Sequence, residues 1–223
     1  RDLLLEIGVE EVPARMLARA MAELPAQVKA LLDGERLGHG SLEVLGTPRR
    51  IAVIVRELSS RQPDLRERVV GPPVSVAFAP DGSLTRAGLG FAQKNGVEPG
   101  EVRRGEAAGK KGEYALADKF IAGADTQELL PSILTRIITG IAWPKSMRWG
   151  WRDAGFVRPL QWLVALYGRD VVPFSWNGVT AGASSRGHRF LAPGPIAISD
   201  ANGYRAALQP AFVIVDPAAR RDL

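Results

Sequence analysis

The chain has 223 residues, with 29 Lys and Arg against 24 Asp and Glu, and a formal net charge of +5. Hydrophobic residues make up 46% and charged residues 24%, a globular composition that excludes wholesale disorder. The chain has no cysteine, which excludes disulfides, iron–sulfur clusters, thiolate zinc sites and a cysteine nucleophile. No apolar run reaches the roughly 18 residues of a membrane helix, and the first residues do not resemble a signal peptide.

The charge is concentrated in one part of the chain. Residues 141–190 carry seven Lys or Arg against two Asp, a difference of +5, so the rest of the chain is neutral overall. The same window holds all five tryptophans. Basic side chains beside aromatic ones can hold phosphates and stack on exposed bases, so this window is the first candidate for a binding surface.

The first half of the chain predicts a strand, a helical segment and a hairpin. Residues 3–9 are typical of a mostly buried strand, and apolar residues then recur at helical spacing. Pro25 is expected to break or kink this segment into two helices, the second ending at Asp33-Gly34. Residues 42–45 and 51–55 are predicted to pair as strands around a turn.

Further elements follow from residue 84 onwards. A helix is predicted over residues 84–93, closed by Asn95-Gly96, and a strand over 113–117 after a polar loop. Asp125 has the spacing of a capping box before an apolar stripe that predicts a helix to Ile141. After Pro144 the pattern changes to short strands and turns.

The C-terminal pattern predicts one more αβ unit and the start of a helix. The helix lies near residues 199–208, the strand over 212–215, and a truncated helix begins at Asp216-Pro217. Since the chain also begins without Met, we interpret it as a fragment of a longer protein. The fold class predicted is α+β, a mixed sheet with flanking helices over residues 1–223. A sub-division near 141–144, into lobes 1–142 and 143–215, is an alternative.

Motifs for catalysis are weak. The Gly105–Lys111 loop has the wrong spacing for a phosphate-binding loop. His39 and His188 are the only histidines, which gives a metal site little support. Ser184 or Ser185 could act as a nucleophile with the nearby His188 as its base. The sequence, however, places no orienting carboxylate beside them. The cluster of Glu6, Glu10 and Glu11 is better interpreted as helix caps or salt bridges than as general acid–base groups.

Several segments together resemble the beta subunit of the bacterial heterotetrameric glycyl-tRNA synthetases, in its N-terminal region. The matching segments are residues 4–13, 47–53, 71–73, 111–114, 144–150, 156–166 and 186–191. Two of the clearest are Pro144-Lys145-Ser146-Met147-Arg148-Trp149-Gly150 and Arg186-Gly187-His188-Arg189-Phe190-Leu191. Departures are small: Val9 and Val12 replace the family's usual Thr and Leu, and the 105–112 loop differs in length.

The resemblance implies a cytoplasmic enzyme of two alpha and two beta subunits that attaches glycine to its tRNA. ATP and magnesium are expected at the alpha subunit, which implies no cofactor and no metal in this region. The beta subunit would contact tRNA, the alpha subunit and a second beta subunit, and no membrane. The fold is expected to be similar to the editing-type domain of the phenylalanyl-tRNA synthetase beta subunit. No catalytic residue is carried over from the family.

The main hypothesis is therefore a non-catalytic region that binds tRNA and supports assembly of the ligase. An editing-type hydrolase that uses Ser184, Ser185 and His188, or a purely structural docking domain, are the alternatives. Trp162, inside an apolar run, is predicted to be core. The candidate RNA contacts are Arg49, Arg50, Lys145, Arg148, Trp149, Arg152, Arg158, Arg186, His188 and Arg189.

Overall fold

The computed structural model describes residues 1–148 and 154–222. In chain order the strands of this part are β1 (Leu3–Val9), β2 (Leu42–Thr47), β3 (Arg50–Val55), β4 (Leu65–Pro73), β5 (Arg103–Glu106), β6 (Glu113–Ile121), β7 (Leu160–Tyr167), β8 (Asp170–Val171), β9 (Ser175–Trp176), β10 (Val179–Gly182), β11 (Ser184–Arg186) and β12 (Pro195–Ala197). The α-helices are α1 (Ala14–Gly34), α2 (Val74–Ala77), α3 (Arg86–Asn95), α4 (Thr126–Gly140), α5 (Tyr204–Leu208) and α6 (Pro217–Arg221). Parallel and antiparallel strand pairs occur together with these helices, so the predicted α+β class is confirmed.

The chain forms two compact units. The first comprises Arg1–Gln62 and Ala124–Leu223, and the second comprises Pro63–Gly123. The alternative boundary near 141–144 lies within the first unit. Strands β1 and β7, which stand on opposite sides of that boundary in the sequence, pair with each other.

A mixed sheet organises the first unit. Its strand order is β2-β3-β1-β7-β10-β9, with β8 paired to β7. Strand β1 runs antiparallel to both β3 and β7, while β7 and β10 are parallel. All seven residues of β1 are buried, as the sequence predicts, because apolar layers cover both faces of the sheet. Successive side chains of a strand point to opposite faces, so β1 contributes to both layers.

Helices α1 and α4 cover one face of the sheet. They pack on the odd-numbered β1 residues Leu3, Leu5 and Ile7, and α1 buries a stripe that includes Leu24 and Val28. The predicted break at Pro25 is wrong, because one continuous helix runs through it. Proline removes a backbone hydrogen bond, but burial of the residues on either side holds the helix together.

The C-terminal segment covers the other face. Tyr204 and Leu208 of α5 pack there with Leu4 of β1 and with Val213 and Val215. The strand predicted over 212–215 is wrong. These residues form no strand, although the carbonyl of Val215 accepts a hydrogen bond from the Gly46 amide at 2.9 Å. Their apolar alternation reflects burial of Val213 and Val215 against the sheet.

The second unit has a sheet of strand order β4-β6-β5 with α2 and α3 beside it. Its small core is mostly alanine and valine, including Ala92, Val102 and Ala115. Helix α3 ends as predicted, with Gly96 in the left-handed conformation that favours glycine.

Two further observations concern the helices. Helix α4 begins after Asp125, as predicted, but the Asp125 side chain accepts no capping hydrogen bond. Within residues 1–148 and 154–222, no helix is both long and apolar enough to cross a membrane.

Candidate functional site

A buried carboxylate lies at the centre of the first unit. Glu6 occupies the middle of β1 and is fully buried, on the face that packs against α5. Its Oε1 accepts hydrogen bonds from Trp162 Nε1 and from Ser185 Oγ, the latter at 2.6 Å. Its Oε2 accepts a hydrogen bond from the Tyr204 hydroxyl and lies 3.7 Å from Arg50 Nη1. We call these five residues the Glu6 network.

The backbone of β1 makes room for this network. Gly8 follows Glu6 on the same face of the strand, and a Cβ added at Gly8 would overlap the indole ring of Trp162. The absence of a side chain at Gly8 thus lets Trp162 lie flat on the strand and reach Glu6. Trp162 is buried, which confirms the prediction that it belongs to the core.

The Glu6 network ties the sheet to β11. Arg50 Nη1 donates to Ser185 Oγ at 2.9 Å, and its Nη2 donates to the carbonyl of Arg186. Burial raises the pKa of Tyr204 well above its ordinary value, and the negative charge of Glu6 raises it further. The phenol therefore stays protonated and keeps donating to Glu6. The network fixes the start of the segment that carries Arg186, His188 and Arg189.

Guanidinium groups surround the indole of Trp162. The Cζ atoms of Arg49, Arg50 and Arg186 lie 5.9, 5.3 and 5.5 Å from the ring. Distances of this order allow cation–π attraction. Arg50 is 1% exposed; its Nη1 and Nη2 donate within the protein, while its Nε is buried without a hydrogen-bond partner. Arg49 is half-buried and Arg186 is exposed.

An open cleft of about 440 Å³ lies beside this cluster. It is formed by the β2–β3 turn, the loop that follows β11, the segment after α5, and α6. We call it the basic cleft. Its lining residues are Glu11, Thr47, Pro48, Arg49, Arg50, Gly187, His188, Arg189, Phe190, Phe212, Val213, Ile214 and Arg220.

Backbone contacts hold the cleft together. The His188 amide donates to the carbonyl of Ala211 at 2.9 Å, which joins the loop after β11 to the segment after α5. Gly187 permits this close approach, since a Cβ there would lie 3.0 Å from the Ala211 Cβ and would overlap the carbonyl oxygen of Ala192. Arg220 of α6 donates to the carbonyls of Gly46 and Ile214 at 3.0 and 2.7 Å.

The cations of the cleft are incompletely neutralised. Arg189 Nη2 donates to Glu10 Oε2 at 2.8 Å, and Glu11 is 4.0 Å away. Burial lowers the pKa of Arg49, and the nearby charge of Arg189 lowers it further, against an opposing effect of Glu10. The Arg49 Nε atom is also buried without a hydrogen-bond partner. An anion in the cleft would relieve this excess of positive charge.

The remaining predicted contacts are dispersed. Arg158 Nε donates to the carbonyl of Glu11 at 3.0 Å, which places it near Arg189. Lys145 and Arg148 are exposed and do not line the basic cleft. Trp149 and Arg152 lie outside the described residues. The structure thus brings Arg49, His188 and Arg189 together in the cleft, with Arg186 beside it.

Two of the three residues considered for a hydrolase, Ser185 and His188, make hydrogen bonds within the protein. Ser185 Oγ donates to Glu6, and Ser184 is exposed on β11. His188 Nδ1 accepts hydrogen bonds from the backbone amides of Phe190 and Leu191 at 3.3 and 3.2 Å. In the part of the chain that the structure describes, no group of three or more His, Asp or Glu is arranged to hold a metal ion.

Sequence reasoning missed several residues of this site. In the sequence, Glu6 groups with Glu10 and Glu11 as helix caps or salt bridges, although a carboxylate in the middle of a strand buried on both faces needs internal partners. That pattern was a usable signal. Phe212 and Arg220 reach the cleft only through the fold, and no local motif marks them.

The fold and the cleft define an α+β region in which arginines and exposed aromatic residues share one surface. The family model of the glycyl-tRNA synthetase beta subunit matches residues 3–223. The chain is similar to the glycine–tRNA ligase beta subunit of Syntrophotalea carbinolica, with 44% identity over 222 residues, covering 100% of this chain and 32% of the relative. It is also similar to that of Bacillus subtilis, with 39% identity over 223 residues and the same coverage.

The chain therefore belongs to the glycyl-tRNA synthetase beta subunit family, and the resemblance in its sequence is confirmed. It spans about a third of the length of these relatives. The likeness to the phenylalanyl-tRNA synthetase editing domain stays a prediction.

Proposed function

We propose that this region is a non-catalytic, tRNA-binding part of a glycine–tRNA ligase. The observation that carries the proposal is the basic cleft, where Arg49, Arg189 and Arg220 converge beside two exposed phenylalanines. Membership of the glycyl-tRNA synthetase beta subunit family supports tRNA as the polyanion. Arginine is well suited to this role because its planar fork can bind phosphate oxygens in pairs.

The proposal also covers the rest of the enzyme. The partners are the alpha subunit, a second beta subunit in an alpha2beta2 tetramer, and the tRNA for glycine, in the cytoplasm. Activation of glycine with ATP and magnesium takes place on the alpha subunit. Because the relatives are beta subunits of a glycine–tRNA ligase, a partner subunit of another kind is expected.

The test is the salt dependence of tRNA binding by the complete beta subunit assembled with its alpha partner. Each phosphate contact contributes about 0.7–0.9 to the slope of log affinity against log salt. Arg49→Gln and Arg189→Gln should each weaken binding and flatten the slope by about this amount. Arg86→Gln, at an exposed arginine of the second unit, is the matched control and should leave the slope unchanged.

The proposal is refuted if both cleft variants keep the salt dependence of the parent.

Hydrolysis is tested directly by incubating the assembled enzyme with mischarged tRNA. Deacylation that disappears in Ser184→Ala would overturn the non-catalytic assignment.

A further inference from the structure

Two phenylalanines of the basic cleft are unusually exposed. Phe190 is 81% exposed and Phe212 is 60% exposed, although both line a concave surface. A phenylalanine side chain offers no hydrogen bond, so exposure of two beside arginines calls for a ligand with an apolar face and a negative charge. A nucleotide has both, since the base can stack and the phosphate can bind a guanidinium.

Hydrogen bonds and turns fix the backbone that carries both phenylalanines. Phe212 has a left-handed conformation, with φ of 58°, which a residue with a side chain adopts uncommonly. It follows a short 3₁₀ turn at Gln209–Ala211, and the carbonyl of Ala211 accepts the hydrogen bond from His188. Phe190 lies two residues beyond His188, and its amide donates to the His188 ring. The two aromatic side chains thus belong to loops that one hydrogen bond joins.

The cleft suits unpaired nucleotides better than a duplex. In a double helix the bases are stacked on one another, and a protein meets mainly phosphates, sugars and groove edges. Phenylalanines directed at such a surface would gain little, whereas unpaired bases present open faces to aromatic side chains. The volume of about 440 Å³ is also in the range of sites that enclose a small ligand, about 300–1,000 Å³.

We propose that the basic cleft binds a single-stranded segment of RNA, with Phe190 and Phe212 stacking on unpaired bases and Arg49, Arg189 and Arg220 holding the adjoining phosphates. This inference rests on the proposed function, for which it names the kind of RNA structure bound. The excess of arginine over acidic residues in the lining favours RNA over a protein partner, whose apolar side chains would meet three guanidinium groups.

The experiment compares two fluorescein-labelled probes on the complete beta subunit with its alpha partner: a short oligouridine and a blunt-ended RNA duplex of equal length, which has no unpaired bases. Binding is followed by fluorescence anisotropy. Phe190→Ala and Phe212→Ala should each weaken oligouridine binding about 5- to 150-fold, the value of one lost stacking contact, and leave duplex binding unchanged. Phe190→Trp should restore or strengthen binding, because the larger ring stacks well.

Phe120→Ala is the matched control, since Phe120 is 57% exposed but lies in the second unit. It should leave both probes unaffected. Because Phe190 is largely exposed, its replacement should not disturb folding, and unchanged circular dichroism would verify this.

Three outcomes would overturn the inference. If the phenylalanine variants bind oligouridine like the parent while Arg189→Gln weakens it, the cleft binds phosphates only and the proposed function survives. If neither the phenylalanine nor the arginine variants change RNA binding, the proposed function fails as well. If Phe190→Ala weakens binding of the alpha subunit and leaves RNA binding unchanged, the surface is a protein interface.

Discussion

Replacement of Glu6 by glutamine should destabilise the first unit strongly. The carboxylate is fully buried, accepts hydrogen bonds from Trp162, Ser185 and Tyr204, and lies 3.7 Å from Arg50 Nη1. A glutamine has one acceptor oxygen in place of two, and its amide group would face donors. The charge of Arg50 would also remain buried without its counter-ion.

The expected magnitude follows from this geometry. At 3.7 Å, two unit charges attract by about 4 kcal/mol at an effective dielectric constant of about 20. Removal of one partner of a buried pair is observed to cost about 3–5 kcal/mol, because the other charge loses its compensation. We therefore expect Glu6→Gln to lower the free energy of unfolding by about 3–5 kcal/mol, a large part of the roughly 5–15 kcal/mol of a typical domain.

A second variant tests the reasoning independently of the size of the loss. Arg50→Met removes the buried cation and keeps much of the side-chain volume. If the two charges compensate each other, the double variant Glu6→Gln with Arg50→Met should lose less stability than the sum of the two single variants. The difference should amount to at least about 1 kcal/mol, in the range measured for residues in direct contact.

The assay is urea unfolding followed by tryptophan fluorescence. All five tryptophans belong to the sequence of the first unit, so the signal reports its unfolding and not that of the second unit. A loss below about 1 kcal/mol for Glu6→Gln, or strict additivity in the double variant, would refute the description of Glu6 and Arg50 as a coupled pair.

Two other predictions concern the neighbourhood of the network. Gly187→Ala should destabilise the first unit by about 1–3 kcal/mol and weaken RNA binding, because its Cβ would overlap the carbonyl oxygen of Ala192. Gly182→Ala, which meets nothing within 4 Å, is the control for both the urea and the binding measurement. Tyr204 should make stability fall with rising pH, since the unfolded phenol ionises near its ordinary pKa of about 10 while burial keeps the folded one protonated. The difference in the free energy of unfolding between the parent and Tyr204→Phe should therefore have its full size below about pH 10 and shrink above it. A difference in urea unfolding that stays constant across that pH would contradict this.

Elements with strong local signals could be predicted from the sequence. The apolar run of β1, the hairpin of β2 and β3 and the end of α3 at Gly96 were all predicted, since each follows from side-chain burial or turn chemistry within a few residues. The errors lie where distant packing decides the local structure. Pro25 is tolerated because Leu24 and Val28 are buried against the sheet.

The candidate site was harder to predict for the same reason. Glu6 and Tyr204 are 198 residues apart in sequence, yet they form one hydrogen bond in the core. The sequence shows a carboxylate in an apolar strand but cannot show which side chains compensate it. The sequence offers Arg50 as a candidate RNA contact, whereas the fold directs its side chain inwards to Glu6.

The uneven charge of the chain acquires a more specific meaning in the structure. A count along the sequence assigns the excess of +5 to residues 141–190, but the fold redistributes it. Arg189, from inside this window, is bound to Glu10 from outside it, while Arg49 and Arg220, also from outside, complete the basic cleft. The field that a polyanion meets depends on which charges converge in space and how far their partners neutralise them, so distance within the fold replaces distance along the chain. The same reasoning explains why Arg49 is the most informative residue to replace, since it is half-buried with an unpartnered Nε and lines the cleft beside Arg189.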